Sequence, residues 1–373
     1  MKFIISGYYG FDNLGDEVIL AVLIQELHRE FPEAELVVLS QSPEETTRHY
    51  HVKAINRWSL RQILRELSSA DLFIGGGGGL IQDRSSLRSP FYYLGLMRLA
   101  MKFCPVVVIG QGIGPLQSPF IEWTAKRVFR RVGFAMLRDE ASRNWVRQTG
   151  LPDEKIFAGA DLIMRTWPAW ASLREPLKPV LPGTPPFIGV TLSGSLSRPS
   201  MRALASELDR AYAEMGLSPV LISFHLHKDL KELEELQNLI KAPVLIVEPS
   251  ASDLRGVLDC IQQMRFMVGM RLHSLIFSLL AARPFVGIPG DPKVERFVQQ
   301  VNRAGGLEVR CWSFDEIGSR KINLVDQLRQ IESCYEAERA ALECAGEALY
   351  CETSKAMTQS WNAIRALLSK QTQ

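Results

Sequence analysis

The chain alternates short, continuous apolar runs with longer stretches in which apolar residues recur at helical spacing. In the first half "KFIIS", "ELVVL", "DLFIGGGGG", "PVVVIGQGIG" and "GFAMLR" read as strands. Between them lie the helical "DEVILAVLIQELHREF", "SLRQILRELSSA", "PFYYLGLMRLAMKF", "SPFIEWTAKRVFRRV" and "DEASRNWVRQTG". Strands that are apolar throughout, rather than alternating, imply burial on both faces. The expected element is therefore a parallel sheet covered by helices on each side. Residues 165–186, "RTWPAWASLREPLKPVLPGTPP", break the pattern with prolines and no period, and read as a linker. A second series of apolar strands follows, "FIGVTL", "PVLISF", "PVLIV", "RFMVGM" and "PFVGI", and from about residue 320 the chain is helical.

The expectation is an α/β protein with two Rossmann-like doubly wound domains facing a cleft. An N-terminal domain spans 1–165, a Pro-rich linker 166–186, a C-terminal domain 187–320, and a helical segment 321–373 is free to cross back to the first domain. A length of 373 residues suits two cores better than one.

Composition narrows the function classes. A net charge of +2 lacks the basic excess of a general nucleic-acid binder. The six cysteines form no C-x-x-C pair, so neither a zinc knuckle nor a redox motif is indicated. Free thiols fit a reducing compartment. "MKFIISGYYGFDNLGDE" is not a signal peptide, and no apolar stretch is long enough to span a bilayer. A cytoplasmic location is expected, with room for peripheral contact at the inner face of the membrane. The "FYYLGLMRLAMKF" stretch fits either a core helix or one that grazes a bilayer.

Ligands of open α/β sheets bind at the carboxyl ends of the strands, and the chemistry of this chain collects at those positions. "GYYGFDNLGDE" ends the first strand with glycines and leads to Asp16, but matches neither the dinucleotide nor the P-loop fingerprint. A plain turn capped by Asp12 or Asn13 accounts for it equally well. "GGGGGL", which includes Gly76 and Gly77, suits a place where another molecule nears the backbone. Asp83, Ser86, Ser89 and Tyr92 follow, offering hydrogen bonds to sugar hydroxyls or a carboxylate base. In "GMRLHS", Arg271 and His273 fall on a strand-to-helix turn, where exposed N–H groups already favour an anion. An Arg there grips carboxylate or phosphate in a planar fork; the competing account is an internal ion pair, with Asp253 or Asp291 as partner. Lys293 in "GDPKV" and Arg138 in "MLRDEAS" occupy equivalent strand ends. Two domains would thus direct three cations and a histidine at one small anion. "SFHLHKD" resembles part of a metal site if read as a strand, but lacks further ligands, and no metal is expected.

The ordered set "GYYGFDNLGDE", "GGGGGLIQD", "GQGIGPL", "LRDEAS", "GADL", "GMRLHS" and "GDPKV" resembles the polysaccharide pyruvyl transferases of the CsaB type over about residues 1–300. The resemblance implies a GT-B-like fold, phosphoenolpyruvate as co-substrate with no other cofactor, and an acceptor sugar of a cell-wall or exopolysaccharide precursor, often lipid-linked. It also implies that Arg138, Arg271, His273 and Lys293 form the donor-binding and catalytic set, with Asp16 and Asp83 on the acceptor side. Two other readings fit the residues: a GT-B nucleotide-sugar glycosyltransferase, and a non-catalytic module that binds a glycan or lipid carrier.

Overall fold

The computed structural model describes residues 1–84, 86–172, 181–183, 186–194, 196–249, 254–288, 290–309, 311 and 324–370. The chain divides into two compact units, one of Met1–Arg165 with Tyr350–Gln373 and the other of Thr166–Leu349.

The first unit is built on a parallel sheet. Its strands are β1 (Lys2–Ser6), β2 (Glu35–Ser40), β3 (Lys53–Asn56), β4 (Leu72–Gly75), β5 (Gly78–Ile81), β6 (Val106–Ile113), β7 (Ala135–Leu137) and β8 (Ile156–Ala158). The order is β3-β2-β1-β4-β6-β7-β8, with β5 paired to the far end of β6 through Gly78–Gln111 and Ile81–Ile113. The central strands are buried along almost their whole length because helices cover both faces. Ile4, Phe73 and Val108 point to one face, where Leu67, Met97 and Phe129 of the covering helices close over them.

The second unit repeats the plan with β9 (Phe187–Thr191), β10 (Ser218–Ile222), β11 (Leu245–Val247), β12 (Met264–Gly269) and β13 (Phe285–Gly287), in the parallel order β11-β10-β9-β12-β13. Its core sets Ile188, Val190 and Val268 against Leu204 and Leu208 of the Arg198–Met215 helix. In each sheet the strand order reverses once, between β1 and β4 and between β9 and β12. The crevice outside the carboxyl ends at such a reversal is the general ligand position of open α/β sheets.

The terminal helix Tyr335–Ser369 has residues in both units. In the second unit Glu347 accepts a hydrogen bond from Trp167 Nε1 at 2.7 Å. In the first, Thr353 Oγ1 accepts one from the Ala160 N–H at 2.9 Å, and Trp361 meets Phe31 edge-on.

Several elements depart from the sequence reading. β3, β5 and β8 carry too few apolar residues to stand out. The start of the expected linker is the helix Trp167–Ala171, with Trp167 and Trp170 buried; residues 173–180 and 184–185 lie outside the described residues. "SFHLHKD" is not a strand: His225 caps the helix Leu226–Gln237, because Asp229 folds back onto the N–H groups of Phe224 and His225. The five glycines do not end one strand. They finish β4, form a turn, and open β5.

That turn is tight for internal reasons. A Cβ on Gly76 would lie 2.1 Å from the Tyr9 hydroxyl oxygen, and one on Gly77 would lie 2.9 Å from Ile19 and 3.1 Å from the Gly110 carbonyl. The protein's own atoms therefore account for both glycines. Gly76→Ala should cost about 1–3 kcal/mol of stability, as overpacking does. Tyr9→Phe, which removes a buried oxygen that makes no hydrogen bond among the described residues, should recover part of that loss in the double variant. Chemical denaturation of the three proteins checks this, and an unchanged midpoint for Gly76→Ala would contradict it.

Candidate functional site

The predicted residues fall into two groups. Arg271, His273 and Lys293 belong to the second unit, and Asp16, Gly76, Gly77, Asp83 and Arg138 to the first.

In the second unit the chain leaves β12 at Gly269 and turns through Met270 and Arg271 into the helix Leu272–Leu280. The turn is fixed to the neighbouring strand: the Met270 N–H donates to the Thr191 carbonyl at 3.0 Å, and the Thr191 and Ser274 hydroxyls share a hydrogen bond of 2.8 Å. Arg271 is the N-cap residue and supplies no side-chain cap. Its guanidinium reaches back across the β9–β12 reversal. Nε donates to the Leu192 carbonyl and to Asp229 Oδ2, both at 3.2 Å, and Nη2 donates to Asp229 Oδ1.

Asp229 is 1% exposed and Arg271 20%. The partner of Arg271 is thus Asp229 of the "HLHKD" stretch, not Asp291; Asp253 lies outside the described residues. The pairing uses the Nε/Nη2 edge of the guanidinium. The other edge, with Nη1, makes no hydrogen bond among the described residues and remains available to a planar anion. His273 follows in the first helical turn, half-buried, with Nε2 shielded from solvent.

Lys293 lies in the first turn of the helix Pro292–Gly305. Asp291 caps that helix through the Lys293 N–H at 3.0 Å and pairs with Lys293 Nζ at 3.3 Å. A Cβ on the nearby Gly290 would lie 2.9 Å from Met270 Cε, so the turn that leads to Lys293 packs against the Met270–Arg271 turn. The second unit therefore brings Arg271, His273 and the Lys293 turn to one sheet edge. It does not leave the cations bare, because each has an acid of its own.

The first unit corrects the sequence reading more strongly. Arg138 does not project as an open cation. It is 6% exposed and pairs with Asp161, 3% exposed, at 3.1 Å. Burial raises the Asp161 carboxyl above its usual range, against the pull of the Arg138 charge. Asp83 is not poised as a base towards a sugar. Its two carboxylate oxygens accept the N–H groups of Gln117 and Ser118, each at 2.7 Å. Asp16 is buried, and its Oδ1 would lie 2.8 Å from a Cβ on Gly78. The exposed backbone of Gly79 lies over the Arg138 guanidinium, with Nη2 3.5 Å from where its Cβ would be. Asp16 and Arg138 thus flank the Gly78–Gly79 step at the carboxyl edge. Tyr92 is also committed, donating to the Arg57 carbonyl at 2.8 Å.

Sequence reasoning missed Asp229, Asp161 and Arg57. Asp229 was hidden in an apparent metal motif, and Asp161 is a lone acid in "GADL". Arg57 is buried among Phe11, Trp58, Tyr92 and Tyr93, its guanidinium carbon 4.4–5.3 Å from their ring centroids, and nothing in "INRWS" signals that cage.

The family model of the polysaccharide pyruvyl transferases matches residues 13–292. The chain belongs to this family. The matched span of this pyruvyl transferase family member includes Asp16, Gly76, Gly77, Asp83, Arg138, Arg271 and His273, and ends one residue before Lys293. The amylovoran biosynthesis protein AmsJ of Erwinia amylovora is 22% identical over 358 residues, covering 79% of this chain and 84% of that protein. Among solved structures, the S. aureus MnaA–UDP co-structure has a TM-score of 0.64 at 12% identity, covering 94% of each chain. Anabaena Alr3699/HepE in complex with UDP-glucose has a TM-score of 0.62 at 12% identity, covering 99% of this chain and 100% of that one. At such identities these likenesses speak for the fold alone, which is GT-B-like.

One buried acid near the first sheet edge sets a pH dependence. Glu17 accepts the Gly10 N–H at 2.6 Å and the Tyr50 hydroxyl at 2.9 Å, yet burial outweighs both and raises its carboxyl. Above the unfolded carboxylate range, about pH 4–5, the folded state holds a proton that the unfolded state has lost. Stability contributed by Glu17 is therefore full at low pH and falls as pH rises through the raised value. Glu17→Gln should flatten this decline in thermal midpoints taken between about pH 5 and 8, and an unaltered slope would contradict it.

Proposed function

We propose that this protein transfers the pyruvyl group of phosphoenolpyruvate to a sugar of an exopolysaccharide or cell-wall precursor, forming a ketal and releasing phosphate. The observation that carries the reading is the family match across residues 13–292, with the Arg271–His273 turn at the strand-order reversal inside it. Phosphoenolpyruvate carries a carboxylate and a phosphate. Supporting donors are the open edge of Arg271, the uncapped start of the Leu272–Leu280 helix, and Lys293, whose preceding turn packs against Met270.

In this reading Asp229 is the positioning residue that aims Arg271. Arg271 and Lys293 bind the anionic groups and stabilise the departing phosphate. His273 donates a proton to the methylene carbon, which becomes the methyl group. C2, now electron-deficient, bonds to one sugar oxygen and then to a second as the C2–O bond to phosphate breaks. Of the two hydroxyl protons lost, one restores the donor and the other leaves with phosphate. Asp16, at the edge of the first unit, is the carboxylate assigned to relay one of these two hydroxyl protons without keeping it. Asp83 and Arg138 have structural partners and are assigned no proton transfer; Arg138, held by Asp161, lies against the backbone of Gly79. No resident metal or cofactor enters the scheme. A lipid carrier on the acceptor sugar is compatible with it, as is a place in the cytoplasm or at the inner membrane face; among the described residues no helix is long and apolar enough to cross a membrane.

A second reading, transfer of a sugar from a nucleotide, draws on the UDP named in the titles of two structures of the same fold. The experiment that separates them is phosphate release from phosphoenolpyruvate with a panel of lipid-linked saccharides, products read by mass. Wild type should release phosphate and add a pyruvyl mass. His273→Ala, and Arg271→Lys, which keeps a cation beside the buried Asp229, should fold and lose about a hundredfold or more in rate. Full activity in both variants removes these residues from the mechanism. A thermal midpoint raised by UDP and untouched by phosphoenolpyruvate favours the second reading.

A further inference from the structure

The first unit exposes a group of large apolar side chains that its own packing does not explain. Phe120 and Trp123 are 56% and 53% exposed on the helix Pro119–Phe129. Phe91 and Leu87 are 46% and 53% exposed at the start of the helix Arg88–Ala100. The rings form one patch, with centroids 5.6 Å apart for Phe91–Phe120 and 6.2 Å for Phe120–Trp123. Isolated exposed hydrophobes are ordinary, but a contiguous patch of them marks an interaction surface.

On these two helices cations outnumber acids. Along the first helix Arg88, Phe91 and Arg98 share the exposed face. Along the second, Phe120, Trp123 and Arg127 do so, and the Arg127 guanidinium stacks on Trp123 with its carbon 4.7 Å from the ring centroid. The one acid in these two helices, Glu122, is neutralised by Lys126 at 2.7 Å. Aromatic side chains at the tip and arginines behind them match the layering of a bilayer surface, apolar within and anionic at the headgroups.

The position is specific. A helix that follows a strand of a parallel sheet starts at the carboxyl edge, so both aromatic tips lie at the edge where Asp16 and the Gly78–Gly79 step sit. Asp83 gains a role here. By holding the Gln117 and Ser118 N–H groups it ties the loop before one helix to the start of the other, so that the two tips form a single wedge.

We propose that the Leu87–Phe91–Phe120–Trp123 wedge inserts into an anionic lipid surface and brings the carboxyl edge of the first unit to the headgroups. The proposal does not depend on phosphoenolpyruvate as donor, and its test needs no turnover. The full chain is sedimented with vesicles of phosphatidylglycerol and phosphatidylethanolamine, and separately with phosphatidylcholine alone. Wild type is expected to bind the anionic vesicles, weakly to bind the neutral ones, and to be released by ~0.5 M salt. The double variant Phe120→Ser/Trp123→Ser, and separately Arg98→Glu/Arg127→Glu, should lower the bound fraction about tenfold with unchanged thermal midpoints, because all four side chains are exposed. Failure of wild type to bind, or equal binding by wild type and both variants, overturns the proposal. So does a wild-type dimer without vesicle binding that Phe120→Ser/Trp123→Ser converts to a monomer, since a second copy would then cover the wedge.

Discussion

A carboxylate with almost no contact with water is costly to the fold unless donors surround it. Asp229 is in that position, and its donors come from two segments: the backbone at Phe224 and His225, and the guanidinium of Arg271. The link crosses the place where the strand order of the second sheet reverses, because Arg271 follows β12 while Asp229 follows β10, with β9 between them. Removing Asp229 would strand a half-buried cation, and removing Arg271 would strand a buried anion. The pair therefore fixes the guanidinium in one orientation, with one edge spent and the other presented. Preorganisation of that kind is what a site needs if its donors are to meet charge that develops during a reaction.

The first unit uses its charges differently. Arg138 with Asp161, Asp83 with two backbone N–H groups, and Glu17 with Gly10 and Tyr50 are all closed within the protein. Of these groups Arg138 lies against Gly79, and Asp16 lies against Gly78. A sheet edge built this way offers hydrogen bonds and shape more than net charge.

Much of the fold was legible in the sequence because both sheets are parallel and buried on two sides. "FIISG", "VVVIG" and "FIGVT" read as strands without reference to anything else. The short strands at the margins, such as β3 and β8, were invisible for the converse reason: half-exposed strands of a few residues have no distinctive pattern. Arg271 and His273 were legible as a pair because cations at a strand-to-helix turn are costly. What the sequence could not supply was the partner. Asp229 lies forty-two positions earlier, and its spacing from two histidines suggested a metal instead. The same limit applies to Gly76, whose tightness comes from Tyr9 folding under it, and to Asp83, whose two acceptors look identical whether they face a sugar or the backbone.

The central claim is that Arg271, held by Asp229, presents its remaining edge to an anion at the carboxyl end of β12. A crystal structure of the protein soaked with phosphoenolpyruvate tests it most directly. The account predicts a carboxylate or phosphate within hydrogen-bonding distance of Arg271 Nη1, above the first turn of the Leu272–Leu280 helix, with the Asp229 contact intact. Ligand density elsewhere, with that edge of Arg271 still facing solvent, would contradict it.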